Sequence, residues 1–166
     1  NHDPTFIYSN YDSLFGSSAA NLLIGLAGDD SLSSGGGNDT LEGGTGNDTL
    51  DGSTGIDVAS YATATSSVNI ALTDTGVHVT GGSGNHTFIS IEGAIGGAFN
   101  DTLSGDAFAN VLSGLAGNDT LTGSAVSETI EGGAGNDTLL GNGGADVLYG
   151  GSGDDILSGA LGNDML

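Results

Sequence analysis

A large aliphatic residue recurs every nine positions along most of the chain. It reads Leu14, Leu23, Leu32, Leu41, Leu50 and then Ala59 in a first block. In a second block it reads Leu103, Leu112, Leu121, Ile130, Leu139, Leu148, Leu157 and Leu166. Two places earlier stands a polar residue: Asp12, Asn21, Asp30, Asp39, Asp48 and Asp57, then Asp101, Asn110, Asp119, Glu128, Asp137, Asp146, Asp155 and Asp164. Glycines lead each unit. Gly43-Gly44-Thr45-Gly46-Asn47-Asp48-Thr49-Leu50-Asp51 shows the pattern without defect, G-G-x-G-x-D-x-U-x with U large and apolar.

This period decides the geometry. One apolar residue in nine cannot form a helical stripe, which needs three or four per two turns. Glycine inside a helix would cost roughly 1 kcal/mol per residue, whereas it suits a tight turn. The x-U-x triplet suits a very short strand with one side chain in and its neighbours out. The prediction is an all-β solenoid with two nonapeptides per coil and parallel strands about 4.8 Å apart. Its core would be a thin column of Leu and Ile, too thin to stabilise the fold alone.

The units start at 7, 16, 25, 34, 43 and 52, and again at 96, 105, 114, 123, 132, 141, 150 and 159. Residues 20–28 match residues 109–117 at an offset of 89, so the blocks are related halves. We expect one continuous domain over 1–166: the first block at 7–60, an irregular segment at 61–95 and the second block at 96–166. The segment carries no nonapeptide on this reading, but Val68, Ile70 and Leu72, Val77 and Val79, and Ile89 and Ile91 alternate as strands do. Gly81-Gly82-Ser83-Gly84 reads as a turn, and the whole as wider coils of the same solenoid.

Charge changes the picture. The chain has 21 Asp and Glu, no Lys or Arg, and a formal charge of −21. A carboxylate taken out of water needs a partner or a proton, and no side-chain amine or guanidinium exists to supply one. Either every carboxylate stays in water or a metal ion partners them. Nucleic acid is excluded as a partner, because phosphate recognition needs positive charge. Attraction to an anionic membrane fails for the same reason, and no apolar run reaches membrane-spanning length. There is no cysteine for a disulfide or thiolate site. The first residues lack the basic and apolar regions of a signal peptide.

The pattern resembles the RTX (repeats-in-toxin) nonapeptide calcium-binding family, over all of the chain except residues 1–6 and 61–95. The resemblance implies a right-handed parallel β-roll with Ca²⁺ between successive turns. Its ligands would be the position-six Asp carboxylates and main-chain carbonyls of the turns. The chemistry agrees: Ca²⁺ takes six to eight hard oxygens in flexible geometry, and Mg²⁺ a stricter octahedron. Turns two units apart stack, which pairs Asp30 with Asp48, Asp39 with Asp57, Asp146 with Asp164, and Asp101, Asp119, Asp137 and Asp155 in one ladder. The expected carbonyl ligands are those of Gly25, Ala27 and Gly28; Gly43, Thr45 and Gly46; Gly114, Ala116 and Gly117; Gly132, Ala134 and Gly135; and Gly150, Ser152 and Gly153. About six good sites follow, each adding about 1.4 kcal/mol at millimolar calcium for affinities near 10⁻⁴ M. Asp12, Asn21, Asn110 and Glu128 sit in turns of poorer pattern and are doubtful ligands.

The remaining motifs read blandly. His2, His78 and His86 show no ligand spacing and read as surface or turn residues. The Asn-x-Thr triplets are by-products of the repeat. Phe99 and Phe108 replace fourth-position Gly and would pack at a roll end or against the middle segment. No nucleophile–base pair points to catalysis. The function expected is an extracellular calcium-stabilised module, not an enzyme, that assembles head-to-tail with copies of itself. That expectation draws on the absence of a polar cap after Leu166. The alternatives are the folding module of a larger type I-secreted enzyme or adhesin, and a glycan-binding adhesin.

Overall fold

The computed structural model describes residues 10–72, 76–80 and 83–166. Its strands are β1 (Ser13–Ser17), β2 (Leu22–Ala27), β3 (Ser31–Gly35), β4 (Thr40–Thr45), β5 (Thr49–Asp51), β6 (Val58–Ser60), β7 (Asn69–Ala71), β8 (Gly76–Thr80) and β9 (Gly84–Ile89). They continue with β10 (Gly93–Ile95), β11 (Thr102–Ser104), β12 (Val111–Ala116), β13 (Thr120–Thr122), β14 (Thr129–Ala134), β15 (Thr138–Leu140), β16 (Val147–Ser152) and β17 (Ile156–Ser158). No helix occurs among the described residues. The glycine turns break the chain after every strand, so none exceeds six residues.

Alternate strands fall on opposite walls of a solenoid. One wall is a single sheet in the order β16-β14-β12-β10-β6-β4-β2. The other is two sheets, β1-β3-β5-β9-β8 and β17-β15-β13-β11-β7. Every pairing is parallel except β8 with β9. The register follows the repeat: Leu14 faces Leu32, Leu32 faces Leu50, and Leu103, Leu121, Leu139 and Leu157 follow one another. A one-residue slip would turn every Leu outward, so the hydrophobic phase fixes the stacking.

The core is the column these residues make. Leu23, Leu41, Ala59, Ala94, Leu112, Ile130 and Leu148 line one wall, and Leu32, Leu50, Phe88, Ile70, Leu103, Leu121 and Leu139 the other, all buried. Each strand supplies about one inward side chain. Flanking residues such as Thr129 and Glu131 face solvent.

The middle segment joins the blocks by a route that its alternation does not disclose. After β6 the chain pairs forward, with Ile70 of β7 opposite Leu103. It then turns back, and Phe88 of β9 stacks on Leu50. Ala94 of β10 finally sits between Ala59 and Leu112. Phe88 therefore occupies position eight of a further repeat, Gly81-Gly82-Ser83-Gly84-Asn85-His86-Thr87-Phe88-Ile89. Within the segment 61–95 these nine residues keep the glycines and the position-eight apolar residue of the repeat. A His in place of Asp had hidden the unit.

Candidate metal centre

Except for His86, which lies within β9, and Asp164, which is followed by a single bridge from Met165 to Val147, each position-six residue directly precedes a strand, at the corner where the glycine turn ends. Two ladders result. On the unbroken wall it reads Asn21, Asp39, Asp57, Glu92, Asn110, Glu128, Asp146 and Asp164. On the other wall Asp12, Asp30, Asp48 and His86 form one run, and Val68, Asp101, Asp119, Asp137 and Asp155 another.

The two carboxylate oxygens of each Asp have different work. One Oδ1 accepts the main-chain N–H of the position-six residue one coil earlier. Asp30 N–H donates to Asp48 at 2.8 Å, Asp39 to Asp57 at 2.8 Å, Asp119 to Asp137 at 2.8 Å, Asp137 to Asp155 at 2.9 Å and Asp146 to Asp164 at 3.0 Å. The second oxygen has no such partner. Oδ2 of Asp30, Asp39, Asp48, Asp57, Asp119, Asp137 and Asp146 is buried without a hydrogen bond. A buried, unpaired carboxylate oxygen carries a desolvation cost of several kcal/mol, and here it repeats coil after coil.

Main-chain oxygens converge on the same places. A Cβ placed on Gly25 would lie 2.6 Å from Asp30 Oδ2 and 2.5 Å from the carbonyl oxygen of Gly43. At Gly114 it would meet Asp119 Oδ2 and the Gly132 carbonyl, and at Gly132 it would meet Asp137 Oδ2 and the Gly150 carbonyl. The fourth-position glycines work differently. Gly46 and Gly135 hold φ at 134° and 136°, and a Cβ there would strike the carbonyls of Gly28 and Gly117 in the stacked turn. L-residues rarely adopt that conformation. The third-position carbonyls of Thr45, Ala134 and Ser152 each accept one N–H from the neighbouring turn, leaving one lone pair. Orphaned carboxylate oxygens beside turn carbonyls form an all-oxygen, anionic donor set. That set fits Ca²⁺.

Not every corner is alike. Asp101 has both oxygens satisfied, by Val68 N–H at 2.8 Å and by Gly97 N–H at 2.6 Å. Glu128 accepts from the Ser124 hydroxyl and N–H. The Asn110 amide donates to the Glu92 carbonyl and to Asp106, while its oxygen accepts Asp106 N–H. Asp155 and Asp164 are half-buried. Among the described residues no cluster of three or more His, Cys, Asp or Glu side chains could hold a metal, so carbonyls must complete any shell.

Electrostatics follow from burial. Desolvation first, then the charges of Asp101 and Asp137, push the Asp119 carboxyl up to about 6. Desolvation, then Asp39 and Glu92, do the same to Asp57, up to about 6. Asp30 and Glu128 also rise, chiefly from burial. Without a cation, the Asp57 and Asp119 carboxyls thus hold their protons to higher pH than a free carboxyl does. A divalent ion reverses that balance.

His86 departs from its sequence reading. It is fully buried at position six, with Nδ1 3.0 Å from Asp48 Oδ2 and its ring edge-on to Tyr61. His2 and the side chain of His78 lie outside the described residues. Phe99 and Phe108 are exposed, and Phe108 borders a groove with Ile56 of the first block and Phe88 and Ile91 of the middle segment.

Glycine turns stacked in parallel, with acidic ladders down each corner, define a calcium-binding β-roll. The comparison of families agrees: the RTX calcium-binding nonapeptide repeat matches in four copies, over residues 12–41, 24–59, 95–130 and 131–166. The chain belongs to that family. No curated protein matches it.

Proposed function

We propose that this chain is an extracellular, calcium-dependent structural module that folds on binding Ca²⁺ and assembles head-to-tail with further copies of itself, without catalytic activity. The carrying observation is the run of buried, unpartnered Asp Oδ2 atoms in a chain without Lys or Arg. No Lys or Arg side chain exists to neutralise them, and a divalent cation from solution can. Extracellular calcium is millimolar, which suits sites of about 10⁻⁴–10⁻³ M.

Support for assembly comes from the outer strands of the described residues. Phe15, Leu22 and Leu26 are exposed on β1 and β2, and Ile156, Leu161 and Met165 at the opposite end of the stack. A parallel sheet edge with apolar residues beside it can accept another strand in register, and a contact that does not close on itself extends into a filament.

Calcium titration followed by far-ultraviolet circular dichroism tests the folding claim. A β-type spectrum is expected at millimolar calcium and a coil-like one in chelator. An unchanged ordered spectrum in chelator refutes it. Electron microscopy of the same samples tests assembly, and monodisperse monomers at millimolar calcium reject that part alone.

A further inference from the structure

One corner of the ladder is not an oxygen pair. Between Asp48 and the next coil the second carboxylate is replaced by the imidazole of His86, in register because Thr87 pairs with Thr49. Both side chains are wholly buried. Asp48 Oδ1 is already committed to the Asp30 N–H, which leaves Oδ2. That oxygen and both His86 ring nitrogens lack a hydrogen bond, although Oδ2 and Nδ1 are 3.0 Å apart. Two heteroatoms at this distance can face a common third atom as two donors. Donors each about 2.0–2.2 Å from one zinc ion can span that distance.

We propose that the Asp48–His86 step is a separate transition-metal site, taking a zinc-class divalent ion through one nitrogen and one carboxylate oxygen where the other steps take calcium. Imidazole is a preferred donor for zinc, nickel and copper, and calcium prefers oxygen. Substituting one nitrogen for one oxygen therefore changes which ion the corner favours. The Tyr61 ring, 5.6 Å from the imidazole centroid at 64°, limits rotation of the imidazole and keeps a nitrogen toward Asp48. The competing arrangement is a protonated His86 that neutralises Asp48 by itself. In that case no second metal binds. The proposal rests on the calcium-roll reading for its scaffold.

The test uses the full chain refolded in millimolar calcium, given zinc sulfate, desalted into calcium buffer and assayed for both metals. A single zinc per chain should survive excess calcium. His86→Gln should lose it with the calcium content unchanged. His86→Asp, which restores the repeat, should lose zinc and gain a calcium. Cobalt substitution should give visible ligand-field bands in the parent that are missing from both variants. Zinc retained equally by His86→Gln, or a calcium-loaded parent that holds no zinc, overturns the proposal. A chain that holds no calcium overturns the scaffold reading as well, so the two failures are distinguishable.

Discussion

Asp137→Asn separates calcium ligation from packing at one atom. Asp137 is buried between Asp119 and Asp155, in a turn, Gly132-Gly133-Ala134-Gly135, that keeps the full glycine pattern. The amide retains an oxygen to accept the Asp119 N–H, now bonded at 2.8 Å. Shape and scaffold bond therefore survive, while the orphaned Oδ2 becomes an NH₂ that repels a cation. On the proposed ligand set Asp137 would serve the steps on both of its sides, so two calcium ions should be lost. At roughly ten times the dissociation constant each contributes about 1.4 kcal/mol, giving a destabilisation of about 2.8 kcal/mol in millimolar calcium. The gap should widen with each further decade of calcium, since only the parent gains from the ions. In chelator the sign changes. Asp137 is one of the charges that push Asp119 upward, and removing it relieves repulsion. Urea unfolding at several calcium concentrations, with metal content by mass spectrometry, reads this directly. Glu131→Gln, on the exposed face of β14, is the control and should be neutral. A penalty for Asp137→Asn that is independent of calcium would refute the reasoning, because it would make the carboxylate a packing group.

Three other outcomes are expected. Gly135→Ala forces a Cβ into the Gly117 carbonyl at φ 136°; it should cost about 1–3 kcal/mol and raise the calcium midpoint measured by circular dichroism. Leu121→Ala, fully buried between Leu103 and Leu139, should cost about 2–5 kcal/mol in urea unfolding at saturating calcium. Asp57 and Asp119, raised from 3.8 to about 6, make the metal-free roll most stable below about pH 4, with that stability lost as pH rises through 6. The stripped chain should therefore gain β signal between pH 7 and 4. The calcium-loaded chain should need more calcium over the same range, because protons compete for the ligands.

The regular coils were legible because two phases agree in them: Leu at eight and Asp at six cannot both be kept in any other register. Legibility failed where one phase broke. His86 fills an Asp position, and only six residues separate Phe88 from Ala94 where nine are usual. A search keyed to Asp therefore passes over a unit that Gly81, Gly82, Gly84 and Phe88 mark plainly. The order of the walls was also hidden. Ile70 and Phe88 both satisfy position eight, and nothing in their pattern says that β7 stacks forward on β11 while β9 returns to β5. At Asp101 the aspartate pattern is complete, but the Gly97 N–H reaches its Oδ2. That satisfaction depends on the backbone of a turn in which Phe99 replaces the fourth-position Gly, and the position-six letter cannot report it.

The division of labour between the two Asp oxygens explains why the repeat demands Asp. Oδ1 bonds one coil to the next, as from the Asp12 N–H to Asp30 and from the Asp146 N–H to Asp164. Oδ2 sets the condition under which that bond can form, since its charge must be neutralised before the corner can close. Calcium and a proton both neutralise it, at the same atom. They differ in what they add: the proton only removes repulsion, whereas on the proposed ligand set calcium would also bind the carbonyls of the stacked turns. An acid-folded chain without metal and a calcium-folded chain at neutral pH should therefore share one backbone register, with the calcium form the more resistant to urea. The two Asn at position six have no such switch: Asn21 and Asn110 turn their oxygens to N–H groups of their own turns, those of Ser17 and Asp106.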